Sequence, residues 1–179
     1  AMVEGAISMF GKLDILVNNA RAEFGKRFED VTEAEWRTIM DFNVKSVFLC
    51  CRAVGKKMLE RGSGRIVNIG SGLAVRGLWN SVAACAAQGA VHQFTSALAL
   101  EWGRSGIRVN AISAGPIRTL AASGVKDFAD MTAHIAEIAP LRRNVTAEEV
   151  GDCCLFLCGP HSRGITGTIM FVDAGFHIM

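Results

Sequence analysis

GRIVNIGSGLAVRGLWNSVAACAAQGAVHQFTSALALEWGRSGIRVNAISAGPIRT, residues 64–119, decides the architecture. Arg65 to Ser71 is an apolar run ending in a serine, and Arg108 to Ile112 is a second one ending in Gly115 and Pro116. Between them, from about Asn80 to Trp102, an alanine-rich stretch has helical character. The pattern predicts a strand, a crossover helix and a parallel strand. The carboxyl ends of parallel strands lie on one side, where ligand crevices form, so Ser71 and the turn Gly115 to Thr119 are expected to face one cleft.

Half of the 179 residues are hydrophobic and the net charge is +2, which predicts one globular domain over residues 1–179 with a sizeable core. No run of ~18 apolar residues is present to span a bilayer. The N-terminus lacks the basic flank and small-residue cleavage site of an export signal, so a cytoplasmic, membrane-free protein is expected. Lys and Arg are not clustered on one stretch, which sets nucleic acid aside as a partner. The six cysteines, at 50, 51, 85, 153, 154 and 158, show neither C-x2-C pairing nor a histidine at metal spacing. They read as small core hydrophobes in a reducing compartment, and no metal site is expected.

Outward from the central stretch, Ala1 to Phe10 has helical periodicity but no capping residue, as though the chain continued upstream. Leu13 to Val17 (LDILV) reads as a parallel strand covered on both faces, closing in Asn18, Asn19 and Ala20. Short polar side chains there can bond backbone groups where a strand breaks. TEAE at 32–35 and TAEE at 146–149 fit capping boxes. The first opens a long helix from Trp36 to Gly62 with Asn43 inside it, and the second a helix through Val150, Cys153, Cys154, Phe156 and Leu157. A last strand is expected over Thr168 to Val172, followed by the turn Asp173, Ala174, Gly175 and an apolar tail.

IVNIGS ending at Ser71, NNA at 18–20, DFNVKSVF around Asn43 and the C-terminal run IRVNAISAGPIRTLAASGVKDF, APLRRNVTAEEVG and ITGTIMFVDAGFHIM together resemble the short-chain dehydrogenase/reductase family. The C-terminal part is most similar to bacterial enoyl-acyl-carrier-protein reductases. The resemblance implies an α/β fold, a Rossmann-like doubly wound parallel sheet with helices on both faces. It also implies an NAD or NADP cofactor, acyl-thioester substrates and oligomeric assembly. In the family, Ser71 would be the catalytic serine and Asn43 would bend its helix and hold a relay water. Asn18, Asn19 and Ala20 would line the adenosine side of the cofactor cleft, with Arg21 replacing a glycine. Gly115, Pro116, Ile117 and Thr119 would pack over the nicotinamide, Gly115 permitting close approach and Pro116 fixing a backbone angle.

The family's Tyr-x3-Lys pair falls on Ala84 and Gln88; in the Tyr-x6-Lys spacing of the enoyl reductases the tyrosine falls on Ser81 and the lysine again on Gln88. The chain contains no tyrosine. Positions 84 and 88 are one helical turn apart, so a phenol and an ammonium there would act as one unit. Alanine has no proton to give, and a neutral glutamine cannot stabilise a phenolate. Ser81 and Cys85 are the neighbouring substitutes, and the sequence shows no base or cation to activate either. The Gly-x3-Gly-x-Gly turn that holds a pyrophosphate in the family is also not in this sequence, so the resemblance covers the later two-thirds of the domain. The Leu13 to Val17 strand would then be an apolar edge that needs covering, either by residues upstream or by another chain. Two readings follow. One is an inactive subunit, homo- or hetero-oligomeric, supporting an active relative; the other is an active NAD(P)H-dependent enoyl- or ketoacyl-thioester reductase with an altered site.

Overall fold

The computed structural model describes residues 2–117 and 128–179. Four parallel strands form one sheet in chain order: β1 (Ile15–Asn18), β2 (Gly64–Ser71), β3 (Ile107–Ala114) and β4 (Ile169–Val172). The register is continuous, Asn18 opposite Asn68, Ser71 opposite Ala114 and Ala114 opposite Val172. The three strand ends expected to carry site residues, those of β1, β2 and β3, therefore belong to adjacent strands. The fold is α/β and Rossmann-like, as the resemblance implied.

Alternation along the strands feeds two cores. Ile66, Ile107 and Val109 pack with Val47, Cys51, Val54 and Met58 of α3 (Ser46–Arg61) and with Val91, Leu98 and Ala99 of α4 (Val82–Trp102). On the other face Val67, Ile112 and Ala114 meet Val150 and Leu157 of α6 (Ala147–Cys158). α1 (Met2–Phe10) contributes Val3 to the first core, and α5 (Phe128–Ile138) buries Thr132 and Ile135. Gly55 lets α3 press on α4: a Cβ there would stand 2.4 Å from Cη2 of Trp102. The sequence reads β1 as covered on both faces, but among the described residues Ile15 and Val17 remain exposed on one face and the strand lies at the sheet edge.

Both capping boxes are formed. Thr32 N–H donates to Glu35 Oε2 at 2.8 Å and Glu35 N–H to Thr32 Oγ1 at 3.3 Å, opening α2 (Glu33–Met40). Thr146 and Glu149 repeat this at 2.9 and 3.3 Å. Several boundaries differ from the sequence reading. The 36–62 helix is not uniformly α, because Asp41–Lys45 widens to a π turn between α2 and α3. α4 starts at Val82 and not at Asn80, whose φ of 61° is left-handed. α5 lies beside the long C-terminal stretch that the sequence reading left without an element. The cysteines are all free, but only Cys51 is fully buried; the other five are half-buried, lying at the edges of the cores. Burial pushes the Cys51 thiol up to about 12 and, in its half-buried place, Cys154 to about 11.

Candidate functional site

The carboxyl ends of β2 and β3 and the face of α4 that covers them bring together Ser71, Gln88, Gly115, Pro116 and Ile117, with Ala84 one turn before Gln88. Ala84 is 4% exposed and Gln88 5% exposed, so both stand inside the protein. Thr119, and Arg118 beside it, lie outside the described residues.

A polar seam runs between the sheet and α4. Asn18 Nδ2 donates to Asn68 Oδ1 at 2.8 Å, and Asn68 Nδ2 donates to Thr95 Oγ1 at 2.9 Å. Thr95 in turn donates to the Val91 carbonyl at 2.8 Å. Two of these bonds tie three elements together, and the third lies within α4. Asn18 also donates to Cys51 Sγ at 3.4 Å. One turn further toward the cleft the seam changes character. Gly70 and Ser113 are register partners facing α4, and a Cβ on Gly70 would stand 2.9 Å from His92 Nε2 and 3.1 Å from Gln88 Oε1. Those two atoms, Ser113 Oγ and Ser71 Oγ are all buried with no hydrogen-bond partner among the described residues. Burial also pushes the His92 imidazole below its ordinary value, which favours the neutral form at pH 7.

Asn43 does not stand open toward the cleft. Its Oδ1 accepts from Ala22 N–H and its Nδ2 donates to the Ala22 carbonyl, both at 2.8 Å. Both ends of the amide hold the segment after Asn18, Asn19 and Ala20, and the π turn is what aims it there. The helix is reshaped at Asn43 as the resemblance implied, whereas the amide itself is spent on backbone.

Gly115 also differs from expectation. Its N–H donates to the Val172 carbonyl at 2.9 Å, and a Cβ would meet Asp173 Cα at 2.9 Å and Val145 Cγ2 at 3.3 Å. The close approach that this glycine permits is made by the chain's own β4 end, not left for a ligand. Ile117 packs into both neighbouring cores. Ser81 precedes α4 with its hydroxyl on the Trp79 carbonyl at 3.3 Å, and Cys85 Sγ leans toward the Arg76 carbonyl at 3.8 Å. Neither meets a base.

The turn after β4 was legible as a turn, but its organisation was not. Asp173, 5% exposed, accepts from Gly175 N–H at 3.0 Å and from His177 N–H at 2.9 Å, with His177 Nδ1 2.9 Å from the same carboxylate. Arg76 lies over the Phe176 ring at 4.4 Å and donates to the Phe176 carbonyl at 2.8 Å. The C-terminal tail thus folds onto the loop that follows Ser71. Sequence reasoning missed Gly70, His92, Ser113 and Arg76. The glycine immediately before Ser71 was the one signal for the first three, since a glycine in a buried strand marks close approach.

A parallel sheet with this register, a serine at the end of β2 and a helix carrying positions 84 and 88 define a short-chain dehydrogenase/reductase. The family described as enoyl-(acyl carrier protein) reductase matches residues 1–177, and the chain belongs to it. The enoyl-acyl-carrier-protein reductase (NADH) FabI of Nostoc sp. is 38% identical over 174 residues, 95% of this chain and 67% of the relative. The NAD-dependent glycerol dehydrogenase of Listeria innocua is 36% identical, covering 95% of this chain and 66% of the relative. A gluconate 5-dehydrogenase from Burkholderia cenocepacia, solved with NADP and tartrate, superposes with a TM-score of 0.94 at 27% identity, covering 99% of this chain and 69% of that one. The chain thus spans about two thirds of the length of these relatives.

Proposed function

We propose that this chain is a non-catalytic member of its oxidoreductase family, a fold kept for assembly with an active NAD(P)-dependent relative of acyl-thioester type. The single observation that carries the reading is the state of α4. Ala84 and Gln88 are buried side chains without a transferable proton, in the place where the family's coupled phenol and ammonium would stand. Such pairs act as one unit, so losing both removes the mechanism and not a fraction of it. His92 cannot substitute as a ready acid, because burial favours its neutral form at pH 7.

The cofactor reading is weakened in the same way. Relatives of this chain are named for NADH or solved with NADP, which supports a nicotinamide dinucleotide as the family ligand. Of the residues expected at the cofactor, Asn18 is committed to internal bonds and the face of Gly115 is filled by Asp173, while Asn19 and Ala20 are exposed. With Asn19 as the one uncommitted amide among them, the described residues fit the group poorly. An assembly role is supported by apolar side chains left exposed on the interface-type helices, Phe48 and Leu49 of α3 and Leu100 of α4.

The test is turnover of the purified chain with NADH and NADPH against enoyl and ketoacyl thioesters, and native mass spectrometry of the complex from its source. The expected result is a rate at least about 10⁴-fold below the ~10 s⁻¹ typical of enzymes, with a companion subunit in the complex. A rate within tenfold of ordinary enzymes refutes the proposal in favour of an active reductase.

A further inference from the structure

We infer that the chain carries an anion-binding site at the opposite end of the sheet from Ser71, built from Arg65, Arg108 and Arg163 and suited to a phosphate or a phosphomonoester. A cavity of about 400 Å³ opens where β2 and β3 begin and where the chain approaches β4; these three arginines line it together with Gly106, Gly164 and Thr166. Six residues of β2 separate Arg65 from Ser71, roughly 20 Å of extended chain. The site is therefore independent of the cleft and of the function proposed for it.

The arginines are placed against ordinary electrostatic economy. Arg65 and Arg108 are direct register partners on adjacent strands. Like charges in that relation destabilise a sheet, and a guanidinium cannot escape by losing its proton. None of the residues lining the cavity is acidic. Arg108 has an internal explanation: it donates to the Leu157, Gly159 and Ile165 carbonyls at 2.9, 3.3 and 3.0 Å, satisfying the end of α6. Its burial, and after it the neighbouring charge of Arg65, nevertheless lower its pKa. Arg65 and Arg163 have no such account. Neither guanidinium makes a hydrogen bond or ion pair with a described residue, and the nearby Asp14 carboxylate is already taken by Lys12 at 3.2 Å and Arg61 at 3.4 Å.

The wall supplies further donors. Thr166 Oγ1 accepts from Val109 N–H at 3.1 Å, which leaves its own proton to give. Gly106 has a φ of 74°, and a Cβ there would stand 2.4 Å from the Gly62 carbonyl, so the wall stays low at backbone level. With Arg108 committed to carbonyls, the guanidiniums of Arg65 and Arg163 remain uncommitted in a cavity without an acidic residue; they suit a phosphoryl group bound in the bidentate manner that guanidinium geometry favours, and the volume leaves room for an attached organic group.

The experiment is titration of the whole chain with inorganic phosphate and, separately, with glycerol phosphate, at constant ionic strength set by chloride, read by calorimetry and by thermal unfolding. The expected result is saturable binding that weakens at least tenfold in Arg65→Gln and in Arg163→Gln and is unchanged in Arg52→Gln, whose side chain lies over Phe48 on α3. In chloride alone Arg65→Gln should melt higher than the parent, and saturating phosphate should reverse that order. Tighter binding of glycerol phosphate than of phosphate would assign the site to the phosphoryl group of an organic ligand, and the opposite order to the free ion. No saturable binding of either, or equal binding by the parent and both variants, overturns the inference.

Discussion

Thr95→Val tests the seam that holds the cleft together. Thr95 and Asn68 are both 0% exposed, so no water can replace a lost partner at the surface. The substitution keeps the side-chain shape but removes the hydroxyl that accepts from Asn68 Nδ2 and donates to the Val91 carbonyl. The Val91 carbonyl retains its helical position, whereas the Asn68 donor is left buried and unpaired, at a cost of about 1–3 kcal/mol. The gain from replacing a hydroxyl by a methyl offsets at most ~0.8 kcal/mol of that. The net expectation is a loss of about 1 kcal/mol, or a Tm lower by about 2–4 °C for a chain of this size. Urea unfolding should show a lower midpoint with the slope unchanged. Thr95→Ser keeps the hydroxyl and should lose only the methyl term, about 1 kcal/mol. Asn68→Leu combined with Thr95→Val removes both ends of the bond and should cost less than the sum of the single changes by about 1–2 kcal/mol. A Thr95→Val protein within ~0.5 kcal/mol of the parent, the scatter expected of a neutral surface change, or strict additivity with Asn68→Leu, would show that the seam is not a connected network.

Asn43→Ala leaves both backbone groups of Ala22 without their partners; it should destabilise by about 2–3 kcal/mol and speed amide exchange and proteolysis across residues 19–32 before global unfolding. On acidification two effects separate by pH. His92, depressed by burial, stays neutral in the folded chain while the unfolded imidazole takes up a proton, so stability is full above ~6.5 and declines as pH falls below it. Glu35 is held at about 2, first by the Thr32 backbone N–H and then by Lys26, and Glu149 at about 2 by Arg143 and then the Thr146 N–H, both from an ordinary value of 4.5. Their contribution is complete above 4.5 and is lost as pH falls toward 2. In Tm measured from pH 8 to 3, His92→Leu should flatten the upper part of the decline and Glu35→Gln with Glu149→Gln only the lower part; one shared transition in all three proteins would contradict the assignment.

The layers were legible because local signals agreed with one another. Buried strands announced themselves as continuous apolar runs, and the two capping boxes located helix starts to the residue. What escaped the sequence had non-local causes. The π turn at Asp41–Lys45 exists because Asn43 must reach Ala22, twenty-one positions back in the chain. Asn80 stands just before α4, where its carbonyl accepts from Lys26 N–H at 2.8 Å and the backbone turns left-handed. Gly115 was correctly read as a point of close approach, yet only the sheet register shows that Asp173 makes it. Ser71, Gln88 and the 115–117 turn were placed together by topology alone, while His92 was hidden because a histidine four positions after a glutamine carries no signal until Gly70 is seen opposite both.

The residues that hold this fold and those that would carry chemistry are separable along the seam. Away from the cleft, Asn18, Asn68 and Thr95 are paired in a chain of bonds that fixes β1, β2 and α4. Toward the carboxyl ends, Gln88 Oε1, His92 Nε2, Ser71 Oγ and Ser113 Oγ are buried and unpaired. A buried unpaired polar atom costs about 1–3 kcal/mol, so four at one end of one helix form a concentration that packing alone would not retain. An active site tolerates such groups because a ligand or a water satisfies them and they are aimed at reacting atoms. Here the same frame persists, but the acid and the cation that would give it a purpose are an alanine and a glutamine. Stability resides in the paired bonds, and on the function proposed above the unpaired groups stand beside Ala84 and Gln88, which supply neither the acid nor the cation.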